Sequence, residues 1–308
     1  MKLKRCDENP ILKPKKGNKW ESKGVFNPGV VFYKGKVHML YRAIGEFKNY
    51  ISRCGYAKSS DGIKFERNNQ PALRPELYYE KWGCEDPRIS RIEDTFYITY
   101  VVLKKSAITP NPIVQTALAS TEDFKDFDRL GKITFRGADD KDVVLLPEMI
   151  KGKYFFLHRP NRWTGNKYET TDPSIWISEI GGLNKLKKWD LLMKPKYYWE
   201  EMKIGSGTPP IKTEKGWLVI HHGVDRNLCY RAGAFLLDLN NPRRVIGRTK
   251  EPILEPLKDY ERGGNKKVIF PTGAYVKDGK INVYYGASDK YVCLASGSLK
   301  ELLNSMTK

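Results

Sequence analysis

Little in this chain of 308 residues points to a metal or redox centre. It has five cysteines, Cys6, Cys54, Cys84, Cys229 and Cys293, with no CxxC pair among them. An odd number of scattered cysteines argues for reduced thiols, not a disulfide framework. Four histidines without ligand spacing give no reason for a dedicated metal site, and no cofactor is expected. No apolar run approaches the roughly 20 residues that cross a bilayer, which excludes a helical membrane span. Met1 to Lys19 lacks the apolar centre of a signal peptide, so a cytoplasmic location is expected. Acidic residues are also in deficit, 36 against 55 Lys+Arg, for a formal charge of +19. Such an excess suggests nucleic acid first. Yet the lysines are spread along the chain, often beside acids, as in Asp140-Lys141-Asp142 and Glu214-Lys215. No basic helix face or nucleic-acid motif is present. The excess therefore reads as a solvated surface whose field attracts anionic substrates.

Hydrophobic residues at 40% and aromatics at 12% are too abundant for disorder, and the length supports a substantial core. What stands out is repetition. Val30 to Tyr33, Lys34-Gly35-Lys36 and Val37 to Arg42 read as strand, tight turn, strand. The phrase returns at Arg88–Val101, Glu148–Leu157, Pro210–His221 and Gly273–Tyr285. Turn markers Gly35, Asp94, Gly152, Gly216 and Gly279 are spaced by 59, 58, 64 and 63 residues. Third strands follow at Gly55–Gly62, Ala117–Ser120 and Ser174–Ser178, and Val292–Ser296 resembles one more. Proline-bounded phrases, Pro71–Pro75 and Pro252–Pro256, suit an outer fourth strand, where no ladder donor is needed. The same phrase at Pro10–Pro14 predicts that the N-terminus supplies the outer strand of the last unit. The expectation is an all-β, five-bladed β-propeller, one domain over residues 1–308, closed by that strand. An irregular β-sandwich is the alternative.

In a propeller, the residue before the first strand and the residue after the second share one rim. Those positions are Asn27 and Arg42; Glu85 and Asp86; Glu148, His158 and Arg159; Lys203, Gly205, Gly207, His221 and His222; and Phe270, Pro271 and Asp289. Three of the four histidines fall there, among arginines and carboxylates. A mouth of such mixed charge suits a hydroxylated or phosphorylated ligand.

Several phrases resemble glycoside hydrolase family 130. They include Gly83-Cys84-Glu85-Asp86-Pro87-Arg88, Phe26-Asn27-Pro28-Gly29, Leu40-Tyr41-Arg42-Ala43, Leu157-His158-Arg159-Pro160, Tyr230-Arg231-Ala232-Gly233 and Tyr284-Tyr285-Gly286-Ala287-Ser288-Asp289. The resemblance implies a glycosyltransferase of the phosphorylase type. It would split a β-1,2- or β-1,4-linked mannooligosaccharide with inorganic phosphate, reversibly, to give α-mannose 1-phosphate. It also implies that Asp86 is the lone acid, acting through the mannosyl 3-hydroxyl. Asn27, Arg42 and Asp289 would hold the mannosyl ring, and Arg159, Lys203, His222 and Tyr230 would hold phosphate. An inverting hydrolase needs a second carboxylate, for which Glu85 and Glu148 are the candidates. A non-catalytic carbohydrate-binding propeller is the further alternative. Mannoside and phosphate are the expected partners, and a homo-oligomer stays open. The acceptor sugar is expected to be set by the loops Trp163–Thr171, with Trp163 and Tyr168 as stacking groups, and Lys104–Asn111. Arg162 and Lys167, in the loop after Arg159, are candidates for a further cation without an assigned place.

Overall fold

The computed structural model describes residues 1–105, 108, 112–135, 138–180, 182–183, 187–263 and 266–306. The chain is all-β, with one short α-helix, Leu299–Asn304, among the described residues. All five hairpin turns form where the sequence places them. Lys34-Gly35 and Asp278-Gly279 are two-residue loops in which both residues have positive φ, and Lys151-Gly152 shares that conformation. Such turns match the right-handed twist of the flanking strands, and glycine in the second position adopts them without a Cβ penalty.

Three sheets contain four strands each. The first runs Gly24–Tyr33, Lys36–Ile44, Ser52–Ser59, Glu66–Arg67. The second runs Glu85–Ile92, Thr95–Leu103, Val114–Thr121, Asp128–Lys132, and the third Asp140–Leu145, Tyr154–Pro160, Ile175–Ile180, Lys187–Met193. The fourth and fifth hairpins, expected as separate units, are joined in one ten-stranded sheet. The link is a parallel pairing of Cys229 with Lys267 and Tyr230 with Val268. At the far edge of that sheet Lys4–Arg5 pairs antiparallel with Ala295 and Ser296.

The proline-bounded phrases pair with third strands, but only through single bridges: Leu73 with Cys54, Leu254 with Ala232, and Leu12 with Val292. The outer strands proper lie upstream, at Glu66–Arg67, Val245–Arg248 and Lys4–Arg5. Apolar clusters fill the spaces between successive groups. Leu40 and Cys54 pack with Ile89 and Phe96, Leu145 with Leu118, Val219 with Leu157, and Ile281 with Leu236. A further cluster joins Val25, Met39 and Tyr41 of the first group to Tyr284 and Val292 of the last.

A carboxylate clamp recurs that the sequence reading did not register. Glu21, Glu80, Glu200 and Glu261, each fully buried, each follow a Trp or Tyr at the end of a short turn. Each accepts from a Tyr or His on the second strand and an Arg on the outer strand. The sets are Tyr41 and Arg67, Tyr100 and Arg129, His221 and Arg248, Tyr285 and Arg5. In the third sheet Asp140 takes the corresponding place, 2.9 Å from His158 Nδ1. Burial of the four glutamates is sustained because each has an arginine donor.

Candidate active site

The first strands of the first three sheets each carry a bulge, between Phe26 and Gly29, Glu85 and Arg88, and Lys141 and Val144. At each bulge one residue adopts a left-handed backbone: Asn27 (φ 48°), Asp86 (φ 49°) and Asp142 (φ 57°). Asn and Asp tolerate this region better than other non-glycine residues. Held there by the surrounding ladder, all three side chains are buried: Asn27 meets Asp86, and Asp142 meets Arg88 and Arg159.

Asp86 lies at the centre. Its Oδ1 accepts from Asn27 Nδ2 at 2.8 Å and from Arg42 Nη1 at 3.1 Å. Arg42 also donates Nη2 to Glu85 Oε1 at 2.6 Å and Nε to Ser52 Oγ at 2.9 Å. Burial raises the Asp86 pKa, but Arg42, then Arg88 and the Asn27 hydrogen bond outweigh it and hold the carboxyl below its ordinary value. Burial prevails at Glu85 and raises its pKa despite Arg42. A cavity of about 500 Å³ opens here, lined by Asn27, Arg42, Asp86, Tyr230 and Asp289 with Phe26, Tyr50, Lys141 and Phe270. Five of the eight sequence-predicted site residues thus line one cavity.

The other three, Arg159, Lys203 and His222, are not among the lining residues, but His222 and Lys203 pack against Tyr230 and Phe270, which are. The His222 ring packs 4.6 Å from Phe270 and 6.0 Å from Tyr230, and Lys203 Nζ is 5.3 Å from the Tyr230 ring. They surround Asp142, whose Oδ2 accepts from Arg159 Nε at 2.7 Å and lies 3.6 Å from His222 Nε2. Arg88 Nη2 reaches Oδ1 at 3.1 Å. Burial raises the Asp142 pKa, yet the Arg159 and Arg88 guanidinium groups drive it well down. Lys203 is pushed down to about 8 by burial and by Arg159, against the pull of Asp142. Burial takes His222 well below its ordinary value despite Asp142, so the ring is neutral. Both its ring nitrogens are buried without a hydrogen-bond partner among the described residues. Gly205 leaves room for this cluster, since a side chain there would collide with Asp142 and His222.

Several expectations are corrected. Asp140-Lys141-Asp142 is no solvated triplet: both aspartates are fully buried and Lys141 lines the cavity. Glu148 is not at the rim. The first strand of its hairpin is Asp140–Leu145, which leaves Glu148 near the turn, exposed and paired with Lys212 Nζ at 2.6 Å. His221 points away from the cavity to Glu200, 3.0 Å distant, which leaves His222 as the histidine beside it. Trp163 and Tyr168 stack on each other and pack with Trp176, so the proposed sugar platforms are engaged in their own cluster. Arg162 pairs with Asp139 at 3.6 Å and Lys167 lies over Tyr168; neither lines the cavity. Most of the Lys104–Asn111 loop lies outside the described residues. No group of three or more His, Cys, Asp or Glu that could hold a metal ion occurs among the described residues.

Residues 2–308 match the family model of glycoside hydrolase family 130, described as β-1,4-mannooligosaccharide phosphorylase. The chain belongs to glycoside hydrolase family 130. It is 40% identical to a 1,2-β-oligomannan phosphorylase of Thermoanaerobacter sp. over 98% of this chain and 99% of that protein. A β-1,2-mannobiose phosphorylase of the same organism is 38% identical over 96% of each chain. Among solved structures, the β-1,2-mannobiose phosphorylase of Listeria innocua, in complex with β-1,2-mannobiose, superposes with a TM-score of 0.85. It shares 30% identity over 99% of both chains.

Proposed function

We propose that this chain is an inverting phosphorylase of β-mannosides, releasing α-mannose 1-phosphate from the non-reducing end of a mannooligosaccharide. The observation that carries the reading is the buried cluster beside the Asp86 cavity. Arg88, Arg159 and Lys203 face one carboxylate, Asp142, and His222 is neutral with two unsatisfied nitrogens. An excess of two positive charges matches a phosphate dianion. Phosphate is already a nucleophile and needs orientation and charge neutralisation, which fixed cations supply. It enters at the Lys203–Tyr230 edge, where the cluster is incompletely buried.

In this reading Asn27, Arg42 and Asp289 hold the mannosyl ring. Asn27 Oδ1, buried without a partner, is available to a sugar hydroxyl. Asp86 delivers the proton to the leaving oxygen through the mannosyl 3-hydroxyl while phosphate attacks the anomeric carbon from the other face. Before substrates bind, Arg42 and Arg88 favour the ionised carboxylate. A bound phosphate dianion absorbs part of that cationic field and raises the Asp86 pKa toward the protonated state an acid requires. Hydrolysis is less well supported. Glu148 is remote, and the Glu85 Oε1 oxygen is occupied by Arg42 and Ser52.

The fold belongs to the same proposal: a single five-bladed propeller, closed where the N-terminal strand completes the last blade. Arg5 supports it, since it meets Glu261 as Arg67, Arg129 and Arg248 meet their own glutamates on outer strands. The cluster between first and last groups supports it too.

Asp86→Asn tests the chemistry. Turnover should fall by roughly 10²–10⁴, the usual worth of a positioned acid, while phosphate still raises the melting temperature. Retained turnover would remove Asp86 from the mechanism.

A further inference from the structure

Two neighbouring carboxyl groups share one arginine in this site. Glu85 and Asp86 are both buried, yet only Asp86 lines the cavity. In a regular strand successive side chains face opposite sides of the sheet. The left-handed backbone at Asp86, inside the bulge, sets that alternation aside. Both carboxyls reach Arg42, Glu85 at Nη2 and Asp86 at Nη1. Ser52 closes a ring: its hydroxyl accepts from Arg42 Nε and donates to Glu85 Oε1, each at 2.9 Å. The Ser52 carbonyl also accepts from the Cys84 amide at 3.0 Å, which pins the chain leading into Glu85. The Arg42 guanidinium carbon lies 4.9 Å from the Phe26 ring and 5.6 Å from that of Tyr50.

Because Glu85 does not line the cavity, its effect on the reaction has to pass through these partners. We propose that Glu85 is a positioning residue for the acid: with Ser52 it fixes Arg42 against Asp86, and its charge competes for that guanidinium, leaving Asp86 able to take up the proton it delivers. The proposal rests on the reading of Asp86 as the acid. It replaces the water-activating role that a second carboxylate suggested.

Two carboxylates on one cation leave a net negative charge, and each disfavours ionisation of the other. Burial opposes ionisation of Asp86, while Arg42, Arg88 and Lys141 favour it. Repulsion between Asp86 and Glu85 adds to burial, and being mutual it acts on both. The thiols of Cys54 and Cys84, packed nearby, are raised by burial and stay neutral. Tyr50, Tyr230 and Asp289 line the same cavity as Asp86. Glu85 is the anion that shares Arg42 with the acid, so its charge is the one to remove.

Glu85→Gln keeps an oxygen for Arg42 and Ser52 but removes the charge. With the repulsion gone Asp86 loses its proton at lower pH, so the alkaline limb of kcat moves down. At saturating mannoside and phosphate the shift should be roughly one pH unit, about a tenfold drop in kcat on that limb, with mannoside KM within about threefold. Glu85→Asp does the reverse. The charge stays but the shorter side chain loses its reach to Arg42, so the limb holds its place while mannoside KM rises about fivefold. A role confined to packing lowers stability without moving the limb in either variant, and that result overturns the inference. So does a flat loss of turnover with Glu85→Gln at every pH, which would make Glu85 a base. Should Glu85→Gln not fold, Glu85→Asp decides alone: a displaced limb at unchanged KM overturns the inference. Failure of the phosphorylase reading looks different. No mannoside then gives α-mannose 1-phosphate with the unaltered protein, and the role of Glu85 falls with it.

Discussion

Asp142→Asn separates a carboxylate that organises an anion site from one that merely fills a core. The substitution is nearly isosteric, so no cavity term enters. It removes the carboxylate that bridges Arg88 and Arg159, whose side chains are 1% and 2% exposed. Breaking a buried pair by removing one partner costs about 3–5 kcal/mol. The asparagine oxygen still accepts from one guanidinium, which places the loss near the lower end, about 3 kcal/mol. For a domain of this size that is roughly 5–10 °C in Tm. Two effects on phosphate oppose each other: Arg159 loses its anchor, but a negative charge leaves the cluster. For a dianion among buried cations the second effect should win, because charge interactions of several kcal/mol exceed one hydrogen bond. The melting temperature in phosphate-free buffer should therefore drop. Added phosphate should raise it more in the variant than in the unaltered protein. Differential scanning calorimetry over a phosphate series measures both. A stability loss under about 1 kcal/mol, or a smaller phosphate response in the variant, would refute the reasoning.

Lys203, with a pKa pushed down to about 8, carries a pH signature. Its charge is present below that value and lost above it, so phosphate KM should climb as pH passes 8. Lys203→Met should raise KM throughout and flatten that limb. The same depression acts on stability with the opposite sign. Between pH 8 and the ordinary lysine value the unfolded chain binds more protons, so this group's contribution rises with pH. The clamp at the N-terminus gives a further contrast. Arg5→Ala leaves the fully buried Glu261 with Tyr285 and two backbone amides but no cation, and should cost about 3 kcal/mol in urea titration. Lys2→Ala, removing an exposed pair with Glu255, should cost under about 1 kcal/mol.

The hairpins were legible because a two-residue turn needs left-handed residues, and Lys34-Gly35, Lys151-Gly152 and Asp278-Gly279 announce it. The rim was legible wherever the hairpin's first strand was identified correctly. In the third sheet it was not. Leu146-Pro147-Glu148 reads as a strand start, whereas the strand is Asp140–Leu145. A triplet as charged as Asp140-Lys141-Asp142 reads as solvated because its partners, His158, Arg88 and Arg159, lie far away in sequence. The spacing of Asn27, Asp86 and Asp142 would have been the signal, since each sits at the bulge in the first strand of its own sheet. The aromatic–Glu pairs ending at Glu21, Glu80, Glu200 and Glu261 were likewise on the page as a period of about 60 residues. They were passed over because a single buried glutamate has no local sequence mark. The union of the last two hairpins in one sheet rests on two parallel residue pairs, and no residue pattern encodes so short a contact.

The most direct test of the central claim is product analysis of the purified protein given β-1,2- and β-1,4-mannobiose, each with and without inorganic phosphate. The account predicts α-mannose 1-phosphate from one of the two, and only when phosphate is present. Free mannose released equally well without phosphate would contradict it, and would mean that the cations around Asp142 serve something other than a phosphate nucleophile.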